Sequence, residues 1–192
     1  MAACVRITQA VLFFMGIIMP KVLIIQASLN PQSKTAVVVR EAEKILISLG
    51  GIDCQILDLR SFDMQFCDGR KLVDYNLDTQ KVFQMINEAD GFIIGMPVYC
   101  YSVSGPLKNL IDITSPAMEK KVAGILCTTG SSMSFLASSD LAKILAYESH
   151  VLSVQPVVCT SYEDFKDGKL ENRKVKEKLK SMIGVLLNYL KS

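Results

Sequence analysis

The chain has 192 residues, half of them apolar, and 21 basic against 19 acidic side chains leave a formal net charge of +2. That length supports one sizeable core with additions, and the composition excludes a disordered or low-complexity chain. The one dense basic run, residues 172–180, includes Glu177 and falls on a predicted helix, so it reads as a solvated face and nucleic acid is not an expected partner.

The N-terminal apolar run, residues 10–19, is too short to span a bilayer, follows a single arginine and lacks an A-x-A cleavage site. Met19-Pro20-Lys21 leads directly into a strand. Residues 1–18 are therefore expected to be an extension without a targeting role, and 19–192 a single domain.

Residues 22–27 form the first strand-like run, which breaks into Ser28, Asn30, Pro31, Ser33, Lys34 and Thr35 before helical periodicity begins. The first N–H groups of a helix lack intrahelical partners and its dipole adds positive potential, so this place suits an anion. Asn30 is the expected N-cap and Pro31 a first-turn residue. An ordinary capped strand-to-helix turn is the alternative. The helix at 36–49 carries Val38, Ala42, Ile45, Leu46 and Leu49 on one stripe and stops at Gly50-Gly51.

A second strand is predicted at 52–59. The connection at 61–75 holds Phe62, Met64, Phe66 and Tyr75, an apolar excess for a loop, and is expected to cover a partner subunit or roof the site. Helix 79–88, strand 91–96, helix 106–113, strand 122–127, helix 139–149 and strand 151–159 follow. The terminal helix, 171–191, presents Val175, Leu179, Met182, Ile183, Leu186 and Leu190 as a core-facing stripe.

Cys4, Cys54, Cys67, Cys100, Cys127 and Cys159 make no C-x-x-C pair and have no histidine partner, so neither a metal site nor a disulfide framework is expected. Reduced thiols point to the cytoplasm. His150, the only histidine, falls where a helix hands over to a strand, and a role at the helix C-terminus accounts for it more simply than a catalytic triad.

Alternating strands and helices imply a parallel sheet with right-handed crossovers and helices on both faces, an α/β flavodoxin-like three-layer sandwich with a five-stranded sheet of order 2-1-3-4-5. Ligands bind such sheets at the carboxyl ends of the strands, beside strand 1, where the loops after strands 1, 3 and 4 converge. The first loop offers anion donors. The second, 97–106, offers Tyr99, Tyr101 and backbone N–H groups, and the third, 128–132, small polar donors. Phosphate at one end and a flat polar ring at the other describe a mononucleotide, and FMN fits the description.

These residues also carry a resemblance. Ala27, Ser28, Asn30 and Ser33 occupy the places of a Gly-Ser-x-Arg-x-x-Ser pattern, and residues 97–112 follow Pro-x-Tyr-Asn-x-Ser-x-x-Gly-x-Leu-Lys-Asn-x-x-Asp. The chain thus resembles the NADPH-dependent FMN reductase family of flavodoxin-like proteins, with its azo-, quinone- and chromate-reducing members. The resemblance implies that Ser28, Asn30, Ser33, Lys34 and Thr35 hold the FMN phosphate. Pro97, Val98, Tyr99, Cys100 and Ser102 would line the ring and ribityl chain, and Thr129, Gly130 and Ser131 would close the far edge.

Lys108, Asn109 and Asp112 are read as supports of the fold. Asn30 stands where the family has arginine, which removes a planar fork for phosphate and leaves Lys34 as the nearby cation. Cys100 stands in place of asparagine.

The implied function is an oxidoreductase that passes hydride from NADPH or NADH through FMN to a small acceptor: a quinone, an azo compound, free flavin or a metal oxyanion. No protein acid, base or nucleophile is required, no metal or membrane is involved, and a homodimer or dimer of dimers is implied. A flavodoxin-type electron carrier and a nucleotide- or anion-binding module are the alternatives.

Overall fold

The sheet is built from parallel strands that flank its first one on both sides. In the computed structural model, which describes residues 19–130, 134 and 136–191, strand β1 (Lys21–Gln26) pairs in parallel with β2 (Asp53–Asp58) on one side and β3 (Gly91–Tyr99) on the other. The expectations for residues 1–18 and for Ser131 lie outside the described residues. A two-residue strand β4 (Ser102–Val103) folds back antiparallel on β3, and β5 (Val122–Thr128) continues the parallel sheet. Two short strands, β6 (Leu152–Ser153) and β7 (Val158–Thr160), pair with the start and end of β5, and the small ribbon β8 (Phe165–Lys166) and β9 (Lys169–Leu170) follows.

The order β2-β1-β3-β5-β6 is the expected 2-1-3-4-5 arrangement with its fifth strand divided. The predicted continuous strand at 151–159 is therefore corrected. After Val154 N–H donates to Ala123, Pro156 has no N–H for the ladder, and Val157 N–H turns to the Gln155 side chain.

Helices α1 (Lys34–Leu49), α2 (Leu77–Glu88), α3 (Gly105–Thr114), α4 (Ala137–Ser149) and α5 (Arg173–Lys191) cover both faces. Side chains alternate along β1, so Val22 and Ile24 join α1 and α5 in one core while Leu23 and Ile25 join α2, α3 and α4 in the other. The α5 stripe read from the sequence is that surface: Leu179, Met182, Ile183 and Leu186 are fully buried. Each such side chain contributes about 1.5–3 kcal/mol relative to exposure.

Gly95 lets α1 approach β3, since a Cβ there would lie 2.5 Å from Val39 Cγ2 and 3.1 Å from Thr35 Cγ2. The first turn of α1 is thereby seated directly above the carboxyl end of the sheet. His150 is the left-handed C-cap of α4, and its N–H donates to the Leu145 carbonyl. That is the expected structural role. Among the described residues no helix is long and apolar enough to cross a membrane, and no cluster of side chains is suited to a metal ion.

Candidate functional site

At the carboxyl end of the sheet a cavity of about 450 Å³ opens between the loops after β1, β3, β5 and β7. Ser28, Asn30, Ser33, Lys34 and Thr35 line it from the first loop, Pro97, Val98 and Tyr99 from the end of β3, and Thr129 and Gly130 from the loop after β5. Sequence reasoning had gathered all of these. Gln32 and Thr128, which fall in the same predicted loops without being singled out, and Tyr162, which the sequence reading does not reach, complete the wall.

The helix start differs from the sequence expectation. α1 begins at Lys34 with Ser33 as its N-cap, the Ser33 hydroxyl accepting from Ala36 N–H at 3.1 Å. Asn30 and Pro31 lie in the turn before it. The Asn30 carboxamide accepts from Gln32 N–H at 2.8 Å and the Ser28 hydroxyl from Asn30 N–H at 3.3 Å, and these local bonds hold the backbone out of the helix. The backbone N–H groups of Ser33, Lys34 and Thr35 make no hydrogen bond among the described residues. Three donors and the positive end of a 16-residue helix thus face the cavity's edge.

The cation nearby is Lys34. Its ammonium lies 3.8 Å from the centre of the Tyr162 ring and 5.1 Å from that of Phe165, a cation–π arrangement that keeps the charge at the wall. The Arg60 guanidinium approaches the same loop from behind and donates to the Asn30 and Pro31 carbonyls at 3.4 and 3.3 Å. Asp58 grips Arg60 through both carboxylate oxygens, and the buried Gln26 amide bridges Asp58 and the Ser28 carbonyl, both at 2.9 Å. Gln26 also accepts from Ser28 N–H at 2.6 Å. The ends of β1 and β2 thereby fix the loop's backbone.

Burial pushes the Asp58 carboxyl up, but hydrogen bonds from Arg60 and Gln26, together with the Arg60 charge, outweigh it and hold the group below its ordinary range. A depressed carboxylate stabilises the fold fully above its unfolded value, near pH 4, and that contribution is lost as pH falls through the folded value. Asp58→Asn is expected to lower stability at pH 7 by about 1 kcal/mol and to flatten the acid limb of the pH–stability curve, as urea midpoints measured from pH 7 to pH 3 will report.

Cys100 and Ser102 follow Tyr99 into the turn beyond the cavity wall. Cys100 and Tyr101 are the central pair of the β3–β4 turn with φ of 50° and 59°, and the Ser102 hydroxyl donates to Asp140 at 2.8 Å. Two successive positive φ values define the tight hairpin turn for which asparagine and glycine are suited. Tyr101 is exposed and has a Cβ in the left-handed region, so Tyr101→Gly is expected to raise stability by about 1 kcal/mol in urea denaturation. Thr129 lines the cavity, while its N–H and hydroxyl both donate to the Thr160 carbonyl, at 2.8 and 3.1 Å.

Residues 20–164 match the sequence model of the NADPH-dependent FMN reductase family. The chain belongs to this family. A NAD(P)H-dependent FAD/FMN reductase of Geobacillus thermodenitrificans is 41% identical over 96 residues, covering 50% of this chain and 52% of the relative, so the match spans about half the length of that protein. A probable NADPH:quinone oxidoreductase 2 of Oryza sativa is 25% identical over 177 residues and 85% of each chain. The fold is shared with a solved NADH:FMN oxidoreductase, EMOB, at TM-score 0.74 and 22% identity over 88% of this chain and 89% of that one. A flavodoxin from the domain Archaea gives TM-score 0.61 at 14% identity, covering 90% and 99%.

The donor set of this FMN reductase family member suits a mononucleotide. The N–H groups and Lys34 answer a phosphate, and a cavity of about 450 Å³ lies in the range of small-molecule sites. Tyr162 was detectable in principle, because it follows the last strand and the carboxyl ends of all parallel strands share one edge. Gln32 carried no such signal. Lys108 and Asp112 form an ion pair, and Asn109 holds the 61–75 connection through Cys67 N–H at 2.8 Å and the Gln65 carbonyl at 2.9 Å, so all three support the fold as expected.

Proposed function

We propose that the chain is an FMN-dependent oxidoreductase which takes hydride from NADPH or NADH and delivers electrons to a small acceptor: a quinone, an azo compound, free flavin or a metal oxyanion. The observation that carries this reading is the convergence of the N–H groups of Ser33, Lys34 and Thr35, unpaired among the described residues, with the Lys34 ammonium at one end of the cavity formed by the β1, β3, β5 and β7 loops. Bound FMN supplies the two-electron chemistry. The protein holds the phosphate at the first turn of α1, and Pro97, Val98 and Tyr99 offer a backbone and aromatic edge to the ring.

Assembly as a homodimer, or a dimer of dimers, belongs to the same reading. Phe66 and Leu77 are more than four-fifths exposed, and Tyr99 and Tyr101 more than half. The neighbouring apolar recess, about 340 Å³ between Leu29, Leu59, Phe62, Met64, Phe66 and Pro106, extends that surface. The unpaired state of Cys54, Cys67, Cys100, Cys127 and Cys159 supports a cytoplasmic location.

The test uses the purified chain loaded with FMN under argon. NADPH or NADH is expected to bleach the flavin band near 450 nm within seconds, and a quinone or azo dye to restore it. Binding of FMN without bleaching by either nucleotide would replace the enzyme with a flavodoxin-type carrier, and failure to take up FMN would leave only an anion-binding module.

A further inference from the structure

The parallel register of β5 and β7 sets Cys127 opposite Cys159. Neighbouring strands run about 4.8 Å apart, inside the 4.4–6.8 Å Cα separation that a disulfide spans. Both side chains enter the apolar layer packed under α4, with Cys127 buried and Cys159 half-buried. The hydrogen bond from the Cys127 thiol lowers Cys159 to about 7 against the effect of burial, with the Lys178 charge assisting. The same bond, with burial, drives Cys127 far upward. The pair is thus asymmetric: Cys159 is half-buried with its thiol shifted down, and Cys127 is buried beside it with its thiol shifted up.

We propose that Cys159 and Cys127 form a peroxide-oxidised dithiol, with Cys159 attacking the peroxide and Cys127 resolving the product to a disulfide across β5 and β7. The Cys159 thiolate attacks one peroxide oxygen, the O–O bond breaks, and Cys159 sulfenic acid and hydroxide result. Cys127 sulfur then displaces the sulfenic hydroxyl, the S–S bond forms, and the Cys127 proton leaves with that hydroxyl as water. In sum, two thiols and hydrogen peroxide give a disulfide and two waters.

The bond closes directly before Thr128 and Thr160. Thr160 carries the carbonyl that seats Thr129, and its hydroxyl donates to the Cys127 carbonyl at 3.2 Å. Oxidation therefore acts on the strand pair whose ends reach the cavity at Thr128 and Tyr162. The chemistry itself does not rest on flavin binding.

The test is thiol mapping on the full chain. Reduced protein is treated with hydrogen peroxide, blocked with N-ethylmaleimide in denaturant, digested and analysed by mass spectrometry. The expected result is one linked peptide pair containing Cys127 and Cys159, about 2 Da below the sum of the two free-thiol peptides and separated by dithiothreitol. Cys54, whose thiol is pushed up by burial and by Glu43 and Asp53, is the internal control and should oxidise at least about tenfold more slowly than Cys159. In Cys127→Ser, Cys159 should stop as a sulfenic acid that dimedone traps. A linkage between other cysteines, or oxidation of Cys159 no faster than of Cys54 in the wild-type chain, overturns the proposal. The wild-type comparison decides the matter if the variant does not fold.

Discussion

Lys34→Glu is expected to weaken FMN binding by about 100-fold, near 2.7 kcal/mol at 1.36 kcal/mol per decade, while riboflavin binding changes by less than about threefold. The ammonium of Lys34 lies over the Tyr162 ring at the cavity wall, beside the N–H groups that open α1. Unit charges about 5 Å apart at an effective dielectric near 20 interact by about 3 kcal/mol. Reversal replaces an attraction to phosphate with a repulsion, and solvent screening reduces the combined effect to the stated size. Glutamate at the first helical position is favourable to the helix dipole, so the fold tolerates it. Quenching of flavin fluorescence in paired FMN and riboflavin titrations measures the ratio. An equal loss for both ligands would place the phosphate away from α1.

Gly95→Ala is expected to cost about 1–3 kcal/mol, because the new methyl would sit 2.5 Å from Val39 Cγ2 and 3.2 Å from the Ile25 carbonyl. Val39 lies on a helix where its side chain has one favoured rotamer, so relief requires α1 to move off the sheet. That shift displaces the first turn of α1, and FMN affinity should fall along with the urea midpoint. Gly184→Ala is the control. Its Cβ meets nothing within 4 Å in mid-α5, and the change should stabilise by about 0.5–1 kcal/mol. If Gly95→Ala left both the midpoint and the affinity unchanged, the seating of α1 on β3 would be wrong.

The architecture was legible in the sequence because buried parallel strands and amphipathic helices leave strong periodic signals. The α5 stripe and the β1 run each led to the correct layer. The misreadings fall where short polar side chains decide the backbone. Asn30 followed by Pro31 has the form of a helix start, yet Asn30 bonds Gln32 N–H and the cap passes to Ser33. Pro156 breaks the last strand, a local effect that the apolar run around it concealed. The β3–β4 turn takes Cys100 and Tyr101 through the left-handed region without the asparagine or glycine that would have signalled it. Tyr162 and Phe165 could be joined to Lys34 only through the fold, since more than a hundred residues separate them in sequence.

The assignment of the ligand's position rests on the phosphate. A crystal structure of the chain with FMN tests this most directly. The phosphate is predicted within hydrogen-bond distance of Ser33, Lys34 and Thr35 N–H, with the Lys34 ammonium turned toward it and the ring along Pro97, Val98 and Tyr99. FMN bound with its phosphate remote from the first turn of α1 would contradict the account.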